Sequence, residues 1–410
     1  FGLSLTLSRE LGKQSIPEAT LVSNALSFRV VTASVAFALA PLAAVLLGYT
    51  PELVRLITLG SLGLWAASLS QSLGGIFQAK LASSRVATVE LVGRLLLLAG
   101  TWWAVQTQVP LATYLIIFTL ANLISCGVAL ALAHSLIPFT WKLQPHIWRL
   151  IWIATWPIAV TTTLNVIYFK VDTVVLSLVR PAAEVGIYTA AYGILEVLLT
   201  LPGIVGGLLV PLIAKSYAAN ERGAAGELYQ ATSDILLASG LAVVTGAFFL
   251  GRPIMTLLAG TSFATSGDVL AILSIAILCS FIGNAASYTL FALDYKKKLI
   301  PVFALGALLA IVLYPILIPR YSYWGAAWAT VIIEAVVNGA LVAVLWKRGM
   351  VLNFTRWPKI ILATLALSIG LMLPLPFVAK LAGGIILWIT ALWFLKLIPH
   401  TTTLGVDAKT

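Results

Sequence analysis

Apolar runs of membrane-crossing length recur along the whole chain, separated by short polar or basic stretches. A spanning helix needs about 20 mostly apolar residues. By that rule the pattern predicts twelve full spans. The first six run from Ser27 to Gly48, Leu56 to Phe77, Thr88 to Gln106, Leu111 to Ala133, Leu150 to Leu178 and Val185 to Ala214. The other six run from Ala231 to Ala259, Asp268 to Leu293, Leu299 to Ile318, Trp324 to Trp346, Lys359 to Phe377 and Leu381 to Ile398. The last two read as a hairpin. Ahead of them, the apolar segment Phe1–Leu7 ends at Arg9-Glu10-Leu11-Gly12-Lys13. Eleven helical residues reach about 16 Å, roughly half the hydrocarbon core, so the chain is expected to open inside a transmembrane helix. The predicted class is all-α and polytopic.

Composition sharpens this reading. Hydrophobic residues make up 60% of the 410 and charged residues only 10%, whereas a soluble domain carries about 25% charged residues. The net charge of +11 does not indicate nucleic acid, because the basic residues sit singly or in small groups between apolar runs and not on one polar face. Cys126 and Cys279 lie in apolar runs and offer neither metal spacing nor a disulfide framework. His134, His146 and His400 have no carboxylate or cysteine at ligand spacing. No glycine-rich nucleotide loop, no metal site, no cofactor motif and no catalytic constellation is present, so a transporter is expected and not an enzyme.

Lysine and arginine set the expected orientation. Alternate loops hold Arg9 and Lys13, Lys80 and Arg85, Lys142 and Arg149, and Lys215 and Arg222. The same side then holds Lys296 to Lys298; Lys347, Arg348, Arg356 and Lys359; and Lys396 and Lys409. The opposite loops hold only Arg55, Arg180, Arg320 and Lys380. The positive-inside rule places the first set in the cytoplasm. The outer loops are too short for an extracytoplasmic catalytic domain, which weighs against a membrane-bound sugar transferase. The stretch from Thr50-Pro51-Glu52-Leu53 to Lys80 resembles that from Ser266-Gly267-Asp268-Val269 to Asp294, as expected for two repeated halves with a site between them.

Family resemblance enters at Trp156-Pro157 and the run from Asn165 through Tyr168-Phe169-Lys170-Val171-Asp172. It continues through Glu184-Val185-Gly186-Ile187-Tyr188, Tyr192 and Glu196 to Leu209-Val210-Pro211. This stretch resembles the seventh and eighth helices of the polysaccharide transporter family, the oligosaccharide flippases of O-antigen type. They belong to the multidrug/oligosaccharidyl-lipid/polysaccharide exporter superfamily. Phe1-Gly2-Leu3-Ser4 with Ser8-Arg9-Glu10-Leu11 resembles the end of that family's second helix.

The resemblance implies two pseudo-symmetric, MATE-like helical bundles around a central cavity, residues 1–149 and 150–346, with 347–410 as a C-terminal helix pair and tail. It also implies alternating access in the cytoplasmic membrane. The cargo would be an undecaprenyl-pyrophosphate-linked oligosaccharide. Membrane lipid would be a partner, with polysaccharide polymerase and glycosyltransferase neighbours, and nucleic acid would not. The alternatives are a cation-coupled multidrug exporter of the same superfamily and a membrane-bound sugar transferase.

Ionisable residues within spans are costly and tend to face cavities or partners. Lys170 and Asp172 lie some ten and eight residues before Arg180 and, two apart, do not share a helix face. Arg94 follows Glu90 by four residues, a spacing that favours an intrahelical pair. Arg29 stands at the inner entrance of its span. Arg29, Arg94 and Lys170 are the candidates for binding the cargo pyrophosphate. Asp172, Glu196 and Glu334 are the candidates for ion coupling or for salt bridges, the two glutamates with Lys170. Arg252 and Asp234 read as interfacial. Asn165, Gln71 and Asn284 could meet sugar hydroxyls or another helix. Pro157, Pro202-Gly203 and Gly206-Gly207 are expected to interrupt the helices beside Lys170.

The charge bias makes the topology testable. Cysteines placed at Lys80, Lys142, Arg222, Lys297 and Arg356 should escape an impermeant label added from outside. Efficient labelling at two or more of them would overturn the orientation.

Overall fold

The structure, a computed structural model, describes residues 3–13, 16–219, 221–293, 295 and 298–395. The expectations that touch Phe1, Gly2, Asp294, Lys296, Lys297, Lys396, His400 and Lys409 lie outside them. So do those on the side chains of Lys13, Pro157, Asn165, Gly207 and Pro211. The described residues are helical, with no strand. They divide into two compact units, Phe1–Thr163 and Leu164–Thr410.

The first unit holds α1 (Leu3–Lys13), α2 (Glu18–Leu46), α3 (Pro51–Ala79), α4 (Ser83–Thr107) and α5 (Leu111–His134). It also holds the first half of α6 (Pro145–Val179), inside which the division falls. The α2–α3 turn follows from local chemistry. Gly48 takes a positive φ of 76° that other residues resist. Thr50 then accepts from the Leu53 amide at 3.4 Å, with Pro51 in the first turn of α3. α3 is the central helix, packed against α1, α2 and α5. Leu3, Leu7 and Leu11 of α1 interleave with Leu73, Ile76 and Phe77 of α3 and with Ile147 and Ile151 of α6.

The second unit continues with α7 (Ala182–Leu198), α8 (Leu201–Ala218), α9 (Arg222–Ala259), α10 (Ser266–Ala292), α11 (Leu299–Trp346), α12 (Trp357–Met372) and α13 (Phe377–Phe394). Here α10 is central, packed against α7, α8, α9 and α11, while α12 lies on α9 and pairs with α13. α9 and α10 cross where Gly251 meets Gly267. A Cβ on Gly267 would come within 2.3 Å of the Arg252 backbone nitrogen.

The helix boundaries differ from expectation in two places. The span expected from Val185 to Ala214 is two helices, α7 and α8, parted just before Pro202-Gly203. The backbone of α6 stays helical through residue 157, as proline in a membrane helix permits when neighbours satisfy the freed carbonyl. The spans expected on either side of Arg320 are the two arms of α11, parted by a tight turn at Ser322, whose φ of 53° lies in the left-handed region. Ten helices among the described residues are long and apolar enough to cross a membrane, α11 being taken as one; the expected count of twelve is not established. The protein is a multi-pass membrane protein.

Polar contacts at the helix ends sort into the two sets of loops that the charge pattern separates. Lys80 pairs with Glu18 at 2.7 Å, Arg85 donates to the Ser135 hydroxyl and the Leu132 carbonyl, and Asn24 exchanges hydrogen bonds with Gln144. Gln230 exchanges hydrogen bonds with the Asn353 backbone, and Arg356 stands 3.6 Å from Asp234. In the other set, Arg252 grips Asp268 through two nitrogens. Arg180 donates to the Pro319 carbonyl at 2.7 Å, and the Ser322 hydroxyl donates to Glu184.

The glycine crossing makes a stability prediction. Gly267→Ala forces backbone apart and should lower stability by about 1–3 kcal/mol. Gly246→Ala, with nothing within 4 Å of the new Cβ, should leave it unchanged or raise it. Thermal unfolding of the two purified variants in detergent decides, and equal melting temperatures would contradict the crossing.

Candidate functional site

Three polar clusters lie within the second unit, each carried by one of the ionisable residues that the sequence singles out. The first is at the surface of the unit. Lys170 of α6 forms an ion pair with Glu196 of α7, and their side chains are 53% and 47% exposed. The Lys170 ammonium also stands 5.4 Å from the Tyr192 ring centroid, within cation–π range. Tyr192, four residues before Glu196, donates its hydroxyl to the Phe169 carbonyl at 2.7 Å. One face of α7 thus fixes both the lysine and the turn of α6 that carries it.

The second cluster surrounds Asp172, which is fully buried. Its carboxylate accepts from the Thr173 amide at 2.6 Å and from the Tyr188 hydroxyl at 2.6 Å. Thr330 extends the chain, 3.3 Å from the Tyr188 hydroxyl and 3.1 Å from that of Tyr314. Residues of α6, α7 and both arms of α11 are therefore joined through one carboxylate and three hydroxyls.

The third centres on Glu334 in the second arm of α11, 4% exposed. It accepts from Tyr168 and Ser280, and from the Asn338 amide at 2.7 Å. Three neutral donors hold it. The lysine that sequence reasoning offered to both glutamates is taken by Glu196. Asn338 lies against Gly283 of α10, where a Cβ would come within 1.8 Å of its side-chain oxygen. Beside Glu334 opens a cavity of about 320 Å³, lined from α6, α7, α10 and both arms of α11.

In the first unit, Arg29 is half-buried and donates to the Ser68 carbonyl at 3.3 Å. Arg94 is exposed on α4, as is Glu90, and no ion pair joins them among the described residues. Both side chains lie on the exposed part of α4, a helix that buries few of its residues. The structure does not bring Arg29 and Arg94 into contact with each other. Asp234 and Arg252, both of α9, lie in ion pairs, Asp234 about three turns into the helix and Arg252 about two turns from its end.

Sequence reasoning missed the tyrosines. Tyr188 and Tyr192, like Glu334 and Asn338, are four apart on one helix face. That spacing of polar groups inside apolar helices was the available signal.

With this geometry in view, the chain is a polytopic α-helical membrane protein whose fold resembles that of solved flippases and exporters. The description "polysaccharide biosynthesis protein" belongs to the family model that matches residues 1–217, just over half the chain, and the chain is a member of that family. Its fold is that of a lipid II flippase, MurJ, in an inward closed conformation, at TM-score 0.74 and 15% identity over 97% of this chain and 90% of that one. An inward-facing multidrug resistance MATE transporter matches at TM-score 0.59 and 14% identity, over 99% of this chain and 87% of its own. A superfamily transporter from Pyrococcus furiosus, described as having a binding pocket of reversed polarity, matches at TM-score 0.52 and 13% identity, over 97% and 85%. No curated protein sequence matches.

The Glu334 cluster yields a prediction about folding. Glu334→Leu leaves the Tyr168, Ser280 and Asn338 donors without an acceptor, at about 1–3 kcal/mol for each group stranded. Glu334→Gln keeps one acceptor oxygen. Fluorescence-detected size exclusion of the two variants should show more folded protein for the glutamine. A leucine variant as abundant as the parent would mean the cluster is not structural.

Proposed function

We propose that this protein carries an undecaprenyl-pyrophosphate-linked oligosaccharide across the cytoplasmic membrane during polysaccharide biosynthesis, by alternating access, and catalyses no bond change itself. The observation that carries this reading is the Lys170–Glu196 pair. It lies well inside a span and yet about half of each side chain is exposed. An ion pair facing acyl chains there would be strongly disfavoured, so this face of the second unit is one that meets water and a polar cargo. Membership of the polysaccharide biosynthesis family supplies the cargo class, and the likeness to a lipid II flippase supplies the fold.

In this reading Arg29, Arg94 and Lys170 attract the pyrophosphate, whose charge would otherwise face a barrier of low dielectric. Asp172 and Glu334, held by neutral donors, have no cationic partner among the described residues and are the groups that would take up a coupling proton. Glu196 tunes Lys170. Residues 1–149 and 150–346 act as the two moving bundles, with 347–410 as an appended helix pair. A glycosyltransferase and a polymerase would act before and after it. A multidrug exporter of cationic cargo fits less well, because Glu196 is neutralised by Lys170 and Glu334 is saturated by three donors.

The test separates charge from architecture. Surface polysaccharide and membrane abundance are measured together in cells that depend on the gene. An exposed pair contributes little to stability, about 0–1 kcal/mol, so Lys170→Ala should be nearly as abundant as the parent. Its transport, and that of Lys170→Glu, should fall by about tenfold or more, with Lys170→Arg largely active. If Lys170→Ala is fully active, the lysine has no part in transport. If Lys170→Ala with Glu196→Ala recovers activity, the lysine serves only to neutralise its partner.

A further inference from the structure

The 320 Å³ cavity beside Glu334 carries chemistry that the ionisable residues do not explain. Ser280, Asn284 and Ser287 are spaced i, i+4, i+7 and so share one face of α10, and all three line the cavity. Ser280 is engaged with Glu334. Asn284 and Ser287 are both half-buried, and no other described residue hydrogen-bonds their side chains. A partly buried amide and hydroxyl left open inside an apolar unit are costly unless a ligand or water meets them. Phe303 of α11 adds an aromatic wall.

Charge selects the occupant. The two carboxylates on the lining are already satisfied, Glu196 by Lys170 and Glu334 by its three donors. The groups still open are neutral, and the Asn284 amide can donate and accept at once. That combination complements the adjacent hydroxyls of a sugar, and offers little to a bare cation or to a pyrophosphate. The volume lies at the lower end of ligand pockets, about 300 to 1,000 Å³. It suits one sugar ring and not a whole repeat unit.

We propose that this pocket receives one neutral sugar ring of the cargo, held by the Asn284 amide and the Ser287 hydroxyl. This rests on the cargo reading given above and extends it, since the saccharide as well as the pyrophosphate is recognised by the protein. The pocket lies wholly within the second unit.

The experiment measures binding to the purified full chain in nanodiscs with two probes. One is the undecaprenyl-pyrophosphate-linked oligosaccharide extracted from the source cells; the other is undecaprenyl pyrophosphate alone. The parent protein should prefer the glycosylated lipid. Asn284→Leu combined with Ser287→Val should weaken that probe roughly tenfold, the loss of two hydrogen bonds of ordinary strength, and leave the bare lipid unchanged. Asn284→Ala keeps the pocket open and should weaken the glycosylated lipid in the same direction if the double variant folds poorly. If both variants bind the glycosylated lipid as the parent does, the pocket assignment is wrong while the cargo reading stands. If the parent binds both probes equally, sugar recognition fails altogether. If it binds neither, the cargo reading fails and the pocket assignment with it.

Discussion

Inside a membrane there is no water to complete a hydrogen bond, so each polar group within these helices must find its partner in the protein or face a polar space. The second unit shows how far that constraint reaches. Asp172 is satisfied by Thr173 and Tyr188, and Tyr188 in turn meets Thr330, which also meets Tyr314. Glu334 draws Tyr168, Ser280 and Asn338 around it. Each carboxylate therefore fixes the rotation of three or four helices about their own axes. Apolar packing alone would tolerate many such rotations.

The same constraint separates polar groups that the fold encloses from polar groups that it leaves open. Asp172 and Glu334 are enclosed by donors, whereas Lys170 and Glu196 face outward together. Asn284 and Ser287 remain open towards a cavity. A polar residue with no partner in a medium that penalises it is a stronger pointer to a ligand than one already engaged.

Much of the fold was legible in the chain because span length and the alternation of basic loops are set by bilayer thickness and charge. The resemblance around Lys170 and Asp172 also named the region where polar clusters gather. Their partners were not legible, since a tyrosine in an apolar run reads as core until the facing helix is known. Lys170 could be offered to Glu196 or Glu334 by depth alone, and only the packing of α7 against α6 selects Glu196. The break in α11 falls between the two spans read from the sequence, and only its form was hidden. Arg320 reads as part of an outer loop between two spans, but the turn is a single residue, Ser322, held from outside the helix.

That turn has a consequence for rotational phase. Ser322 is the only joint between the two arms of α11 with non-helical backbone angles. Its conformation is pinned by Glu184, with Arg180 capping the Pro319 carbonyl beside it. A helix advances about 100° per residue. One residue gained or lost here would therefore swing Thr330, Glu334 and Asn338 off their present face together. Asp172's chain, the Glu334 cluster and the neighbouring pocket would lose their shared wall in one step. The length of this turn is in effect a phase setting for every polar contact in the unit, although it touches none of the clusters.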